Sequence, residues 1–177
     1  MKKFISRGFT LIELLIVIGI LGILVIAVLL TLNPAEAQKK TRDAKRMKDM
    51  ATLQSAVQQW FDGGGTIPAV LTSWKSDSLK GQACDGTGWL GLAGGVCNYL
   101  NPLPIPPTNG ATRAFVNAAN CTTASLIDNY RVTMDVDAAY EVNVRQESTQ
   151  NCGNVINDGG DSFQWAEIGS KLTLITN

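Results

Sequence analysis

The 177-residue chain contains no histidine. That absence removes the His-based catalytic triad, the usual acid–base pair and the His-containing metal triad. The glycines at 63–65 and 91–95 lack the lysine and the strand–helix setting of a phosphate-cradling loop. Cysteine is scarce: Cys84, Cys97, Cys121 and Cys152 match neither a zinc-site spacing nor a redox CxxC. There is no net charge, 15 basic residues balancing 15 acidic ones, and no internal repeat. Together these absences argue for a non-enzymatic chain with no resident cofactor.

Acid is also missing at the start. "MKKFISRG" carries Lys2, Lys3 and Arg7 and no carboxylate, the short basic flank of an export or insertion signal. From Phe9 to Leu32 the chain is one apolar run of 24 residues broken by a single charge, Glu13. At about 1.5 Å per residue such a helix reaches roughly 36 Å, enough to cross a ~30 Å hydrocarbon core with some tilt. A buried soluble helix is rarely apolar on every face for so long. An ionised carboxylate in mid-bilayer costs about 2.5–3.5 kcal/mol, so Glu13 calls for a partner. A cut after Gly8 would create one, because Phe9 would then carry a free ammonium four residues away, on the same helix face. That amine pairs either with its own Glu13 or, in a bundle, with the Glu13 of a neighbour as a register device. The plain alternative places Glu13 at the interface, protonated or snorkelling.

"RGFTLIELLIVIGILGIL" (7–24) resembles the leader and N-terminal helix of type IV prepilins and type II secretion pseudopilins. The matching features are a basic leader ending in Gly8, Phe9 after it, Glu13 four further on, and the long apolar helix. The resemblance implies that a membrane prepilin peptidase cuts between Gly8 and Phe9 and methylates the Phe9 amine. It also implies that Glu13 guides docking into a growing filament, with copies of the chain, other pilins and a membrane assembly platform as partners. The family's usual proline falls earlier in the span; here Pro34 follows it, and Gly19 and Gly22 are the weak points inside.

A second helix is signalled by "NPAE" (33–36), with Asn33 as N-cap, Pro34 at the first helical position and Glu36 three after the cap. Ala44, Met47, Met50, Leu53, Val57 and Trp60 draw an apolar stripe along it, and "DGGG" (62–65) stops it. "YRVTMDV" (130–136) and "YEVNV" (140–144) alternate apolar and polar residues across a short link, predicting a hairpin to which "KLTLI" (171–175) adds a third strand. The stretch 63–128, with its proline-rich "NPLPIPPTNG" (101–110), reads as loop. The expected fold is therefore α+β. A long N-terminal helix, membrane-spanning in its first half and amphipathic in its second, packs on a small antiparallel sheet with a large disulfide-stapled loop region. The divisions are leader 1–8, span 9–32, stalk 33–62 and head 63–177.

Outside the cytoplasm the four cysteines read as two disulfides. Of the three pairings, Cys84–Cys97 with Cys121–Cys152 closes the most local loops, though spacing alone leaves the choice open. Residues 33–50 hold six cations against three acids, and residues 51–177 six against eleven, so the stalk is basic and the head acidic. The basic run after the span argues by charge alone for a cytoplasmic C-terminus. The cysteines, the acidic head and the resemblance argue for a single-pass precursor with its head outside the cytoplasm, later an extracellular or periplasmic filament. The stalk cations read as a solvated face laced with pairs such as Glu36–Lys40, Lys39–Asp43 and Lys45–Asp49. A functional reading has them meet anionic lipid or acidic neighbouring heads; nucleic acid is the weaker partner because no aromatics interleave. Asn157, Asp158 and Asp161 in "NDGGD" offer oxygens that suit calcium without EF-hand spacing, and equally suit a plain turn. "NCT" (120–122) fits the N-glycosylation pattern.

The leading reading is a structural filament subunit. Its rivals are a secretion pseudopilin, a single-span anchored binding module that never polymerises, and an exported soluble protein cut after "AEA" (35–37).

Overall fold

The computed structural model describes residues 8–31, 33–76, 80–83, 87–92 and 95–175. The chain divides into two compact units, Met1–Ala37 and Gln38–Asn177. Residues 1–7, most of the expected leader, Cys84 and the side chain of Cys97 lie outside the described residues, and with them the expected Cys84–Cys97 pair.

The expected single long helix is two elements. Helix α1 spans Leu11–Thr31 and α2 spans Pro34–Asp62. Helical hydrogen bonding restarts at Asn33, whose carbonyl accepts the Ala37 N–H at 3.1 Å and whose Oδ1 accepts the Glu36 N–H at 3.2 Å. Pro34 occupies the first helical position, where its missing N–H has no helical partner to lose.

Strands β1 (Thr72–Lys75), β4 (Arg131–Met134), β5 (Tyr140–Val144) and β6 (Ala166–Gly169) form one antiparallel sheet in the order β1-β4-β5-β6. Strands β2 (Thr112–Asn117) and β3 (Thr122–Ile127) form a separate hairpin. A short helix, α3 (Cys152–Ile156), precedes β6. The predicted β4–β5 hairpin is present, with Arg131 opposite Asn143 and Met134 opposite Tyr140. It is shorter than the alternation suggested: Val136 is exposed, and Ala138 turns the chain at φ 60°.

The core lies between α2 and one face of the sheet. Met50, Leu53, Val57 and Trp60 pack with Val132, Met134, Tyr140, Val142 and Val144. Fully burying side chains of this size stabilises by roughly 1.5–3 kcal/mol each. Gly65 and Gly95 line the Trp60 indole so closely that a Cβ at either would come within 2.4 or 2.5 Å of it. The expected stripe is corrected at one end. Ala44 is exposed, whereas Asp43 and Arg46 are buried, because the buried face steps 43, 46, 50, 53, 57, 60.

Two further expectations fail. Residues 171–175 are not a strand; β6 supplies the third strand beside β5. The N–H groups of Leu174 and Ile175 donate instead to Glu141 Oε2, at 2.8 and 3.2 Å. The region 63–128 holds three strands rather than loop alone. Within its proline-rich stretch Leu103 is fully buried, and the Trp89 indole donates to the Pro104 carbonyl at 3.0 Å. A disulfide joins Cys121, at the β2–β3 turn, to Cys152 at the start of α3, with Cα atoms 5.7 Å apart.

Candidate functional site at the N-terminal helix

Gly8, Phe9 and Thr10 lead into α1, and all three are exposed. Thr10 is the N-cap: its carbonyl accepts the Leu14 N–H at 3.2 Å. Glu13 is then the third helical residue. Its Oε2 accepts the Thr10 N–H at 2.9 Å and the Thr10 hydroxyl at 2.7 Å, while the Glu13 N–H donates to Thr10 Oγ1 at 3.3 Å. This reciprocal arrangement is a capping box. It places the carboxylate at the positive end of the helix dipole and orients one of its oxygens. Among the described residues Glu13 Oε1 accepts no hydrogen bond. The four letters "TLIE" were the available signal; within an apolar run they read as lipid-facing sequence.

Behind this cap, every large apolar side chain from Leu11 to Leu29 is at least 45% exposed. Leu11–Leu29 is also long and apolar enough to cross a membrane. Such a surface is far beyond the exposed apolar patch of an ordinary soluble monomer. It is consistent with a membrane-anchored helix.

The second unit is locked internally by charge. Arg46 is fully buried and meets Asp43 at 2.9 Å, Asp128 at 2.7 Å and Glu147 at 2.6 Å. Arg42 binds Glu147 through Nε and Nη2, at 2.9 and 2.6 Å. Asp43 also accepts the N–H groups of Glu147 and Ser148, at 2.8 and 2.9 Å, and the Asn151 amide at 2.8 Å. Burial pushes the Glu147 carboxyl upward, but its hydrogen bonds from Arg42 and Arg46 outweigh that and hold it below its ordinary value. Two of the six stalk cations are thus structural, a correction to the solvated-face expectation. Of the pairs expected there, Lys45–Asp49 is present at 4.0 Å, while Asp43 is taken up by Arg46 and the backbone.

The candidate calcium loop folds as a turn. Asp158 Oδ1 accepts the Gly160 N–H and Oδ2 the Glu167 N–H, at 2.9 and 2.8 Å, and the Asn157 amide donates to the Gly153 carbonyl at 2.9 Å. Burial raises the Asp158 carboxyl. Among the described residues no group of three or more His, Cys, Asp or Glu side chains is placed to hold a metal ion.

Residues 4–29 match the prokaryotic N-terminal methylation motif. No curated protein and no solved structure matches the chain. The matched stretch includes Gly8, Phe9, Thr10 and Glu13 and most of α1, so the motif and the capping box coincide in sequence.

Proposed function

We propose that the chain is a structural subunit of a type IV pilus-like filament, made as a precursor and anchored by α1 before assembly. A prepilin peptidase cuts between Gly8 and Phe9 and methylates the new amine. The observation that carries this reading is the methylation motif over residues 4–29. The geometry of Glu13 supports it: Thr10 holds one carboxylate oxygen and the other accepts no hydrogen bond among the described residues, which suits capture of the Phe9 ammonium of a neighbouring subunit. Charge pairing of this kind sets register, and a surrounding bundle of apolar helices covers the exposed face of α1.

In this reading the leader is 1–8, the span 9–32 is first a membrane anchor and then filament core, and the head stands outside the cytoplasm. The test separates charge from helix capping. Glu13→Gln keeps a capping-box residue at the third helical position and removes the charge. Filaments sheared from cells should be lost in Glu13→Gln and Glu13→Ala while the subunit persists in the membrane fraction. Filament yield equal to wild type in Glu13→Gln would overturn the assembly role and favour an anchored module that does not polymerise.

A further inference from the structure

On the sheet face turned away from α2, Thr133, Glu141, Asn143 and Glu167 are buried. Charge is sorted across this face. Glu141 and Glu167 lie on β5 and β6, whereas Lys75 and Arg131 sit directly opposite each other on β1 and β4. Like charges in opposed positions repel and destabilise a sheet. Arg145, just past β5, joins them: its guanidinium carbon lies 3.8 Å from the Trp165 ring centre, and that of Arg131 lies 5.0 Å from the same centre. Trp165 is buried, so two cations share one desolvated ring.

None of these three cations forms an ion pair among the described residues. Arg145 donates to the Ile127 carbonyl. The Nε atoms of Arg131 and Arg145 are buried and have no hydrogen-bond partner. Burial lowers the Arg131 guanidinium below its ordinary value, although the charge of Glu141 acts to raise it; burial, then the charge of Arg131, lowers Arg145 to about 10, although Asp128 acts to raise it; the charge of Arg131 comes first in lowering Lys75. Arg131 also lines a groove of about 270 Å3 with Leu71, Ser73, Thr133, Leu174 and Ile175. The groove therefore has an apolar rim, two hydroxyls and a guanidinium. It is open to solvent and smaller than the ~300 Å3 lower end of ordinary small-ligand sites.

We propose that this groove binds a small amphipathic carboxylate, with the carboxylate held by Arg131 in the groove and by Lys75, which lies outside the lining and opposite Arg131 on β1, and the apolar part against Leu71, Leu174 and Ile175. A guanidinium fork matches a planar carboxylate in two hydrogen bonds. An anion here relieves the repulsion among Lys75, Arg131 and Arg145. The apolar rim distinguishes an acyl carboxylate from a bare ion. The site lies within the second unit and does not depend on the filament reading.

The test is a titration of the full chain in non-ionic detergent micelles with butyrate, acetate and the neutral isostere butyramide. It is read by NMR at the Arg131 Nε–H and at the Trp165 indole N–H. Butyrate should give saturable shifts at both, acetate weaker ones, and butyramide none. Lys75→Gln, at an exposed position, should weaken butyrate about three- to fivefold, and Arg131→Gln should abolish the saturable shift at Trp165. No saturable shift with butyrate, an equal response to butyramide, equal affinity for acetate and butyrate, or unchanged affinity in Lys75→Gln would each overturn the proposal.

Discussion

Arg46 is the residue on which the second unit most depends, because it pairs with three carboxylates with no exposure of its own. Removing one partner of such a buried set leaves the others uncompensated, at about 3–5 kcal/mol. Arg46→Ala should therefore lower unfolding stability by that order in denaturant titrations. Lys45→Ala, whose ammonium is half-exposed and 4.0 Å from Asp49, should stay within about 1 kcal/mol. Two buried glutamates give opposite pH signatures. The Glu147 carboxyl is held below its ordinary value, so its contribution is present at neutral pH and is lost as pH falls through the folded value. The Glu167 carboxyl is pushed up from 4.5 to about 8, by burial first and then by the charge of Glu141. Its contribution is full below pH 4.5 and is lost as pH rises through about 8. Thermal melts across pH should show that Glu167→Gln flattens the alkaline-side loss and Glu147→Gln the acid-side loss. A shared slope in both variants would refute these assignments. The role of Arg46 was legible in principle: stepping back from Met50 along the buried face lands on Arg46 and then Asp43. Their charge disguised them as part of a solvated stalk.

The two helix starts are the elements that sequence described best and missed most. "NPAE" announced the start of α2, and Asn33 caps it as a side chain of that type should. "TLIE" announced α1 in the same grammar but was hidden inside apolar sequence. Thr10→Ala removes the hydroxyl that both accepts from the Glu13 N–H and donates to its carboxylate. Loss of an N-cap costs about 1 kcal/mol, so the amide of Glu13 should exchange about fivefold faster in micelles, while amides from Ile20 onward stay unchanged. An unaltered first turn would mean that the box contributes nothing there. In the sheet, period-two alternation located β4 and β5 and the face that meets α2. It did not show that the polar face is covered too, because that cover comes from backbone. The Leu174 and Ile175 N–H groups end on Glu141, so "KLTLI" folds over the sheet instead of joining it. β1, β2 and β3 went unseen because "TSWK", "TRAFVN" and "TTASLI" show no clean alternation of apolar and polar residues.

At the scale of the molecule, the two units differ in what they need. The second closes its own core and carries a disulfide across 31 residues. In the chain-entropy picture a loop of that length contributes about 3–4 kcal/mol. Paired Cys121→Ser and Cys152→Ser substitutions should lower the unfolding midpoint accordingly, and reductant should do the same to the wild type. Among the described residues the first unit has no buried core, and its apolar helix is exposed from Leu11 to Leu29. That exposed helix, together with the motif at residues 4–29, makes N-terminal processing the central claim. It is tested most directly by the intact mass and N-terminal sequence of the mature protein, taken from its native envelope without reduction. The account predicts a chain beginning at Phe9 and heavier by one methyl group on its amine. A chain beginning at Gln38, or one retaining Met1, would contradict it.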